Sequence, residues 1–80
     1  MLISYVHAAM ERAHYEILSD EGSYYGEIRG FKGVYAHAPT LEECRGRLES
    51  VLEEWILFRV SRKLSLPRVN GIKLQVRKVA

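Results

Sequence analysis

The side chains able to do chemistry in this chain are three histidines, one cysteine and ten carboxylates, and their spacing decides what they can do. His7, His14 and His37 stand in neither HxH nor HxxxH spacing and join no cluster with metal-ligand separation. His14 and His37 can meet if their strands are neighbours, which makes a two-ligand site at most; otherwise all three read as exposed sheet or helix histidines. Cys44 falls in the first turn of an expected helix, where the dipole can lower a thiol pKa. It also lies on that helix's apolar stripe, and burial disfavours the thiolate, so it reads as a small core residue. Glu42, Glu43, Glu49, Glu53 and Glu54 describe the solvated side of a helix. Two-metal phosphodiester chemistry needs carboxylates converging from strands as well. Glu16, Asp20 and Glu27 are the acids in or beside the expected strands, so a residual metal-dependent nuclease would use Glu16, Asp20 and a helix glutamate. No serine has a GxSxG context and no glycine-rich loop opens a helix for phosphate. The chain is expected to be no enzyme, with no cofactor and no metal.

Tyrosine is abundant, five in eighty residues. Tyr25, Tyr35 and His37, with Glu27, are expected to share one sheet face. Exposed aromatics beside cations can stack single-stranded bases, but they also suit protein interfaces. No RNP-like sequence is present, so the expectation is a protein-binding face of Tyr25, Glu27, Tyr35 and His37.

These residues need a scaffold. Eighty residues make one domain (1–80), near the lower limit for a self-sufficient core, with 48% hydrophobic content that argues against disorder. No apolar run approaches the roughly 18–20 residues of a membrane span. The N-terminus has no basic segment and no signal-peptide core, and a lone cysteine suits a reducing compartment, so a cytoplasmic protein is expected. A core this small favours self-association as a homodimer or higher homo-oligomer. The net charge of +2 hides an asymmetry: residues 1–58 hold ten acidic and five basic side chains, residues 59–80 seven basic and none acidic. The basic segment reads first as a helix end and a solvated strand; the alternative is a small nucleic-acid-binding module built on it.

Leu2, Val6, Ala9 and Ala13, with Ile3, Tyr5 and Met10 beside them, have helical spacing. His14–Leu18, Tyr24–Ile28 and Val34–His37, separated by polar turns, read as a three-stranded antiparallel meander. One face carries Tyr15, Ile17, Tyr24, Ile28, Val34 and Ala36; the other carries His14, Glu16, Tyr25, Glu27, Tyr35 and His37. Gly30 and Gly33 frame the last turn, and Thr40-Leu41-Glu42-Glu43 is a capping box that starts a helix running to about Leu64. Its core stripe is Leu41, Cys44, Leu48, Val51, Leu52, Trp55, Ile56 and Phe58. Leu57, Val60 and Leu64 lie off that stripe and are expected to mediate self-association or to meet the N-terminal helix. Leu66-Pro67 should end the helix, and Ile72–Val76 alternates as a final edge strand. The expected fold is α+β: three or four antiparallel strands packed by a long helix and a short N-terminal one.

The segments Ala13-His14-Tyr15-Glu16-Ile17, Tyr24-Tyr25-Gly26-Glu27-Ile28, Gly30–Ala36, Thr40–Arg45 and Glu53–Leu57, then Leu66-Pro67 and Gly71-Ile72, occur in one order. In that combination the chain resembles the HicB-like antitoxins of bacterial and archaeal toxin–antitoxin modules, particularly short single-domain members. The likeness spans roughly residues 5–74. Two departures concern loops: Arg29 and Lys32 stand at usual proline positions, and Ala38 replaces a glycine. The resemblance implies a partly degenerate ribonuclease H-like fold without its catalytic carboxylates. It also implies a partner, a small HicA-type toxin with a double-stranded-RNA-binding-like fold that cleaves messenger RNA. Many relatives carry a C-terminal DNA-binding domain, for which this chain has no room, so direct nucleic-acid binding is not expected. The acidic balance of residues 1–58 gives docking to a basic toxin a physical motive.

Overall fold

The computed structural model describes residues 2–18 and 22–69. Five elements follow in the order α1 (Leu2–Glu11), β1 (Ala13–Leu18), β2 (Ser23–Ile28), β3 (Tyr35–Ala38) and α2 (Leu41–Ser61). The strands form an antiparallel sheet in the order β1-β2-β3. Register places Tyr15 opposite Gly26 and Gly26 opposite Ala36, while His14, Glu27 and Tyr35 form one cross-strand row and Glu16, Tyr25 and His37 the next. Side chains alternate between faces along a strand, so the expected division of the meander into two faces holds. The expected fourth strand, Ile72–Val76, lies outside the described residues.

α2 lies over β2 and β3 and leaves β1 less covered. Ile17 has the expected parity yet is 66% exposed, because the covering helix does not reach its corner. Close approach of α2 depends on small residues beneath it. Cys44, fully buried, places its Sγ 3.7 Å from the Ala36 carbonyl, and a Cβ at Gly26 would lie 3.2 Å from that sulfur. Burial pushes the Cys44 thiol pKa above its ordinary value, with the Arg47 charge opposing.

The core centres on Tyr5, Phe31, Val34, Leu48, Leu52, Ile56 and Val69. Gly30 and Gly33 adopt φ of +85° and +92°, the left-handed region that glycine enters without penalty. This lets the turn between β2 and β3 fold inward and bury Phe31, whose ring meets Tyr5 at 6.2 Å and Trp55 at 5.1 Å between centroids. Trp55 Nε1 donates to the Lys32 carbonyl at 3.0 Å and ties the same turn to α2.

Thr40 is the α2 N-cap, extended at φ −125° and ψ 157°, and its Oγ1 accepts from the Glu43 N–H at 3.1 Å. The Glu43 carboxylate, which a capping box would set on the Thr40 backbone N–H, instead accepts from the Thr40 hydroxyl at 3.2 Å. The helix ends at Ser61, earlier than Leu64. Lys63 takes φ 58°, its N–H reaches the Val60 carbonyl at 3.0 Å, and the Leu64 N–H reaches the Arg59 carbonyl at 2.8 Å. This is a Schellman ending with lysine at the position glycine usually fills, so Leu66-Pro67 follows the stop and does not cause it.

The buried stripe of α2 is Cys44, Leu48, Leu52 and Ile56. Spacing of four residues advances the stripe by about 40° a step, so Phe58, about 200° round from Ile56, turns away from the sheet. Phe58 is 53% exposed, and Leu41 in the first turn is exposed as well; both were expected in the core stripe. Ile3 of α1 is exposed too, while Tyr5, Val6, Ala8, Ala9 and Met10 are buried.

Candidate partner-binding face

Both helices pack on one side of the sheet, and among the described residues no helix covers the opposite face, although Ser23 at its corner is buried. On that face stand His14, Glu16, Tyr25, Glu27, Tyr35 and His37, each exposed or half-buried. Tyr25 and Tyr35 are diagonal neighbours on adjacent strands, and their rings stack at 6.2 Å with planes 28° apart. The Tyr25 hydroxyl donates to Glu27 Oε1 at 3.1 Å. Partial desolvation raises the Tyr25 phenol pKa, and the hydrogen bond to Glu27 and that carboxylate's charge raise it further. Ser23 Oγ and His37 Nε2 lie 2.9 Å apart.

The four expected contact residues, Tyr25, Glu27, Tyr35 and His37, are thus brought together on β2 and β3. Sequence reasoning missed Ser23, although its parity with Tyr25 and Glu27 was a readable signal. It also missed Arg47, whose Nη1 donates to the His37 carbonyl at 2.8 Å from α2; no local pattern announces that contact.

Other expected sites are separated by the topology. His14 and His37 sit on the two outer strands with β2 between them, and in different cross-strand rows. Two strand spacings of about 4.8 Å each rule out shared coordination. Among the described residues no group of three or more His, Cys, Asp or Glu can hold a metal. Glu16 projects from the open face while the α2 glutamates ride on the helix covering the other, so they do not converge; Asp20 lies outside the described residues. Of the expected self-association stripe, Leu57 (64% exposed) and Leu64 are at the surface, whereas Val60 packs half-buried against the core.

The described part of the basic segment is partly engaged. Arg59 donates from Nε to the Ser65 carbonyl at 2.8 Å and lies over the Trp55 ring at 4.9 Å. Arg62 lies over Phe58 at 5.1 Å. No described helix is long and apolar enough to cross a membrane.

These features define a class: a small α+β protein whose three-stranded meander is covered by helices on one face and presents an aromatic, acidic face on the other. The sequence matches the UPF0150-like family over residues 4–67, and the chain belongs to that family. The structure is similar to the crystal structure of TTHA0281 from Thermus thermophilus, with 39% identity and a TM-score of 0.89 over 96% of this chain and 95% of that one. No protein with a curated description matches the sequence.

Proposed function

We propose that this protein is an antitoxin-like, non-enzymatic member of a toxin–antitoxin module, which binds and neutralises a small RNA-cleaving toxin of the HicA type in the cytoplasm. The observation that carries the reading is the open sheet face, where the stacked Tyr25–Tyr35 pair stands among Glu16 and Glu27 with no lysine or arginine on that face among the described residues. Stacked tyrosines supply rigid apolar area with polar tips, the composition favoured at protein interfaces. Two carboxylates suit a cationic partner, and an RNA-binding toxin must be cationic to hold phosphate. The ordered likeness to HicB-like antitoxins points to the same partner class. The family match and the whole-chain structural similarity support the fold on which this reading stands.

The test is co-expression and titration with the product of a neighbouring small basic reading frame. The expected result is a complex that stops RNA cleavage, weakened at least tenfold by Glu27→Lys or Tyr35→Ala; each tenfold corresponds to about 1.4 kcal/mol. Salt-dependent binding of RNA or DNA by the protein alone, without such a complex, would support the basic-segment alternative instead.

A further inference from the structure

The outer edge of β3 has a geometry of its own, distinct from the sheet face. The Ile28 N–H donates to the Val34 carbonyl at 3.3 Å while the Val34 N–H turns to the Phe31 carbonyl at 3.0 Å, so Ile28–Val34 is a one-bond rung that ends the β2–β3 ladder in the hydrogen-bonded phase. By the alternation of an antiparallel ladder, Gly26–Ala36 and Tyr24–Ala38 are hydrogen-bonded pairs as well. The N–H and C=O of Tyr35 therefore both point away from β2, along the edge. Arg47 guards the far end of this edge by donating to the His37 carbonyl, and nothing equivalent stands at Tyr35 among the described residues. Edge strands in native proteins are usually blunted in this way or paired.

Beside the edge runs a groove of about 570 Å³ between β3 and α2, whose helical wall includes Glu43, Arg47, Val51 and Glu54. Phe58 continues that row one turn beyond Glu54, and it is 53% exposed, while Tyr35 at the groove's floor is 58% exposed. The signs of charge separate this surface from the sheet face. Among the described residues the face carries carboxylates without lysine or arginine, as suits a cationic partner; the groove wall carries both signs, with Arg47 between Glu43 and Glu54. Arg47 meets Glu43 at only 3.9 Å with both side chains more than half exposed, so the pair is loose enough to exchange partners.

We propose that the β3 edge and this groove are a self-association surface, on which a second copy of the chain adds its own β3 antiparallel about a two-fold axis at Tyr35. A residue that directs both its donor and its acceptor outward is satisfied reciprocally by its own copy: the Tyr35 N–H of each protomer donates to the Tyr35 carbonyl of the other. The same axis places the two Tyr35 side chains together on the open face, extending the Tyr25–Tyr35 stack into a row of four rings across a six-stranded sheet. It reverses α2 in the second copy, so that Arg47 of each faces a wall carrying glutamates at both ends. An isologous contact of this kind closes on itself and leaves no β3 edge exposed. The inference does not depend on the toxin reading.

Sedimentation equilibrium at roughly 10–100 μM, with amide hydrogen exchange, tests it. The expected mass is twice the 9.2 kDa of the chain, with the Tyr35 amide strongly protected from exchange. Tyr35→Pro removes the outward N–H without removing a ladder bond to β2 and should give a folded monomer. If that variant loses its circular dichroism, Tyr35→Lys, which leaves the backbone intact and charges the edge, should give the monomer instead. Leu57→Lys, on the outer side of α2, should remain dimeric. A monomeric wild type, a Tyr35 amide that exchanges freely within a dimer, or a dimer dissolved by Leu57→Lys but kept by Tyr35→Lys would overturn the assignment.

Discussion

Replacing Gly26 by alanine tests how the sheet accepts α2. Gly26 faces Tyr15 across β1 and β2 in a non-hydrogen-bonded pair, the closer of the two antiparallel pair types. The Tyr15 ring lies over the glycine: an added Cβ would sit 2.9 Å from both Cδ1 and Cε1 of the ring and 3.2 Å from the buried Cys44 sulfur. Comfortable carbon contacts are about 3.5–4.0 Å, so the ring must move by roughly 0.6–1 Å or α2 must lift. Overpacking of this kind costs about 1–3 kcal/mol, and the lower entropy of an unfolded alanine chain offsets about 0.4–1 kcal/mol of it, leaving a net loss of about 1–2 kcal/mol. In thermal unfolding of a domain this size that is a drop of about 5–15 °C. Urea unfolding of Gly26→Ala, Tyr15→Ala and the double variant closes a thermodynamic cycle. With the ring gone, Gly26→Ala should cost less than about 0.5 kcal/mol, a coupling of about 1 kcal/mol. Strict additivity, or a neutral Gly26→Ala in the wild-type background, would refute the close-approach account.

Three further outcomes follow from the same contacts. Lys63→Gly should stabilise the protein by about 0.5–1 kcal/mol in urea unfolding, because glycine holds the left-handed ending of α2 without the Cβ penalty; a loss of stability would mean that the Lys63 side chain matters more than its backbone. Thr40→Ala should cost about 1 kcal/mol by removing the acceptor for the Glu43 N–H, and Thr40→Ser should restore most of it. Burial raises the pKa of the Cys44 thiol and, with smaller opposition from nearby arginines, of the Tyr5 and Tyr15 phenols. The unfolded chain then releases these protons first as pH rises, so stability holds through neutrality and falls above the ordinary thiol pKa of 9.0. Cys44→Ala should flatten the first part of that fall in pH-dependent urea unfolding.

The parts of the fold written in local pattern were legible in the sequence. Alternation placed Tyr25, Glu27, Tyr35 and His37 on one face and Tyr15, Ile28 and Ala36 on the other, and Thr40 with Glu43 marked the start of α2. What failed to show depends on contacts between distant segments. Phe31 reads as a turn residue, yet two left-handed glycines fold the turn inward and seat its ring between Tyr5 and Trp55. Phe58 reads as core until the four-residue spacing of Cys44, Leu48, Leu52 and Ile56 carries the buried stripe round the helix and away from it. Ile17 has the right parity, but parity says nothing of how far the covering helix extends. The end of α2 was misplaced because a lysine holds the left-handed position that the sequence would signal with glycine. The Arg47 contact with His37 follows only once β3 and α2 are packed.

We propose that the sheet face left open among the described residues binds a cationic, RNA-cleaving protein. The most direct measurement is calorimetric titration of the purified protein with the small basic product of the neighbouring gene, read alongside RNA cleavage. Saturable binding that abolishes cleavage, lost at least tenfold in both Glu27→Lys and Tyr35→Ala while their folded spectra are unchanged, is the predicted result. Absence of binding, or full inhibition that survives both substitutions, would contradict it.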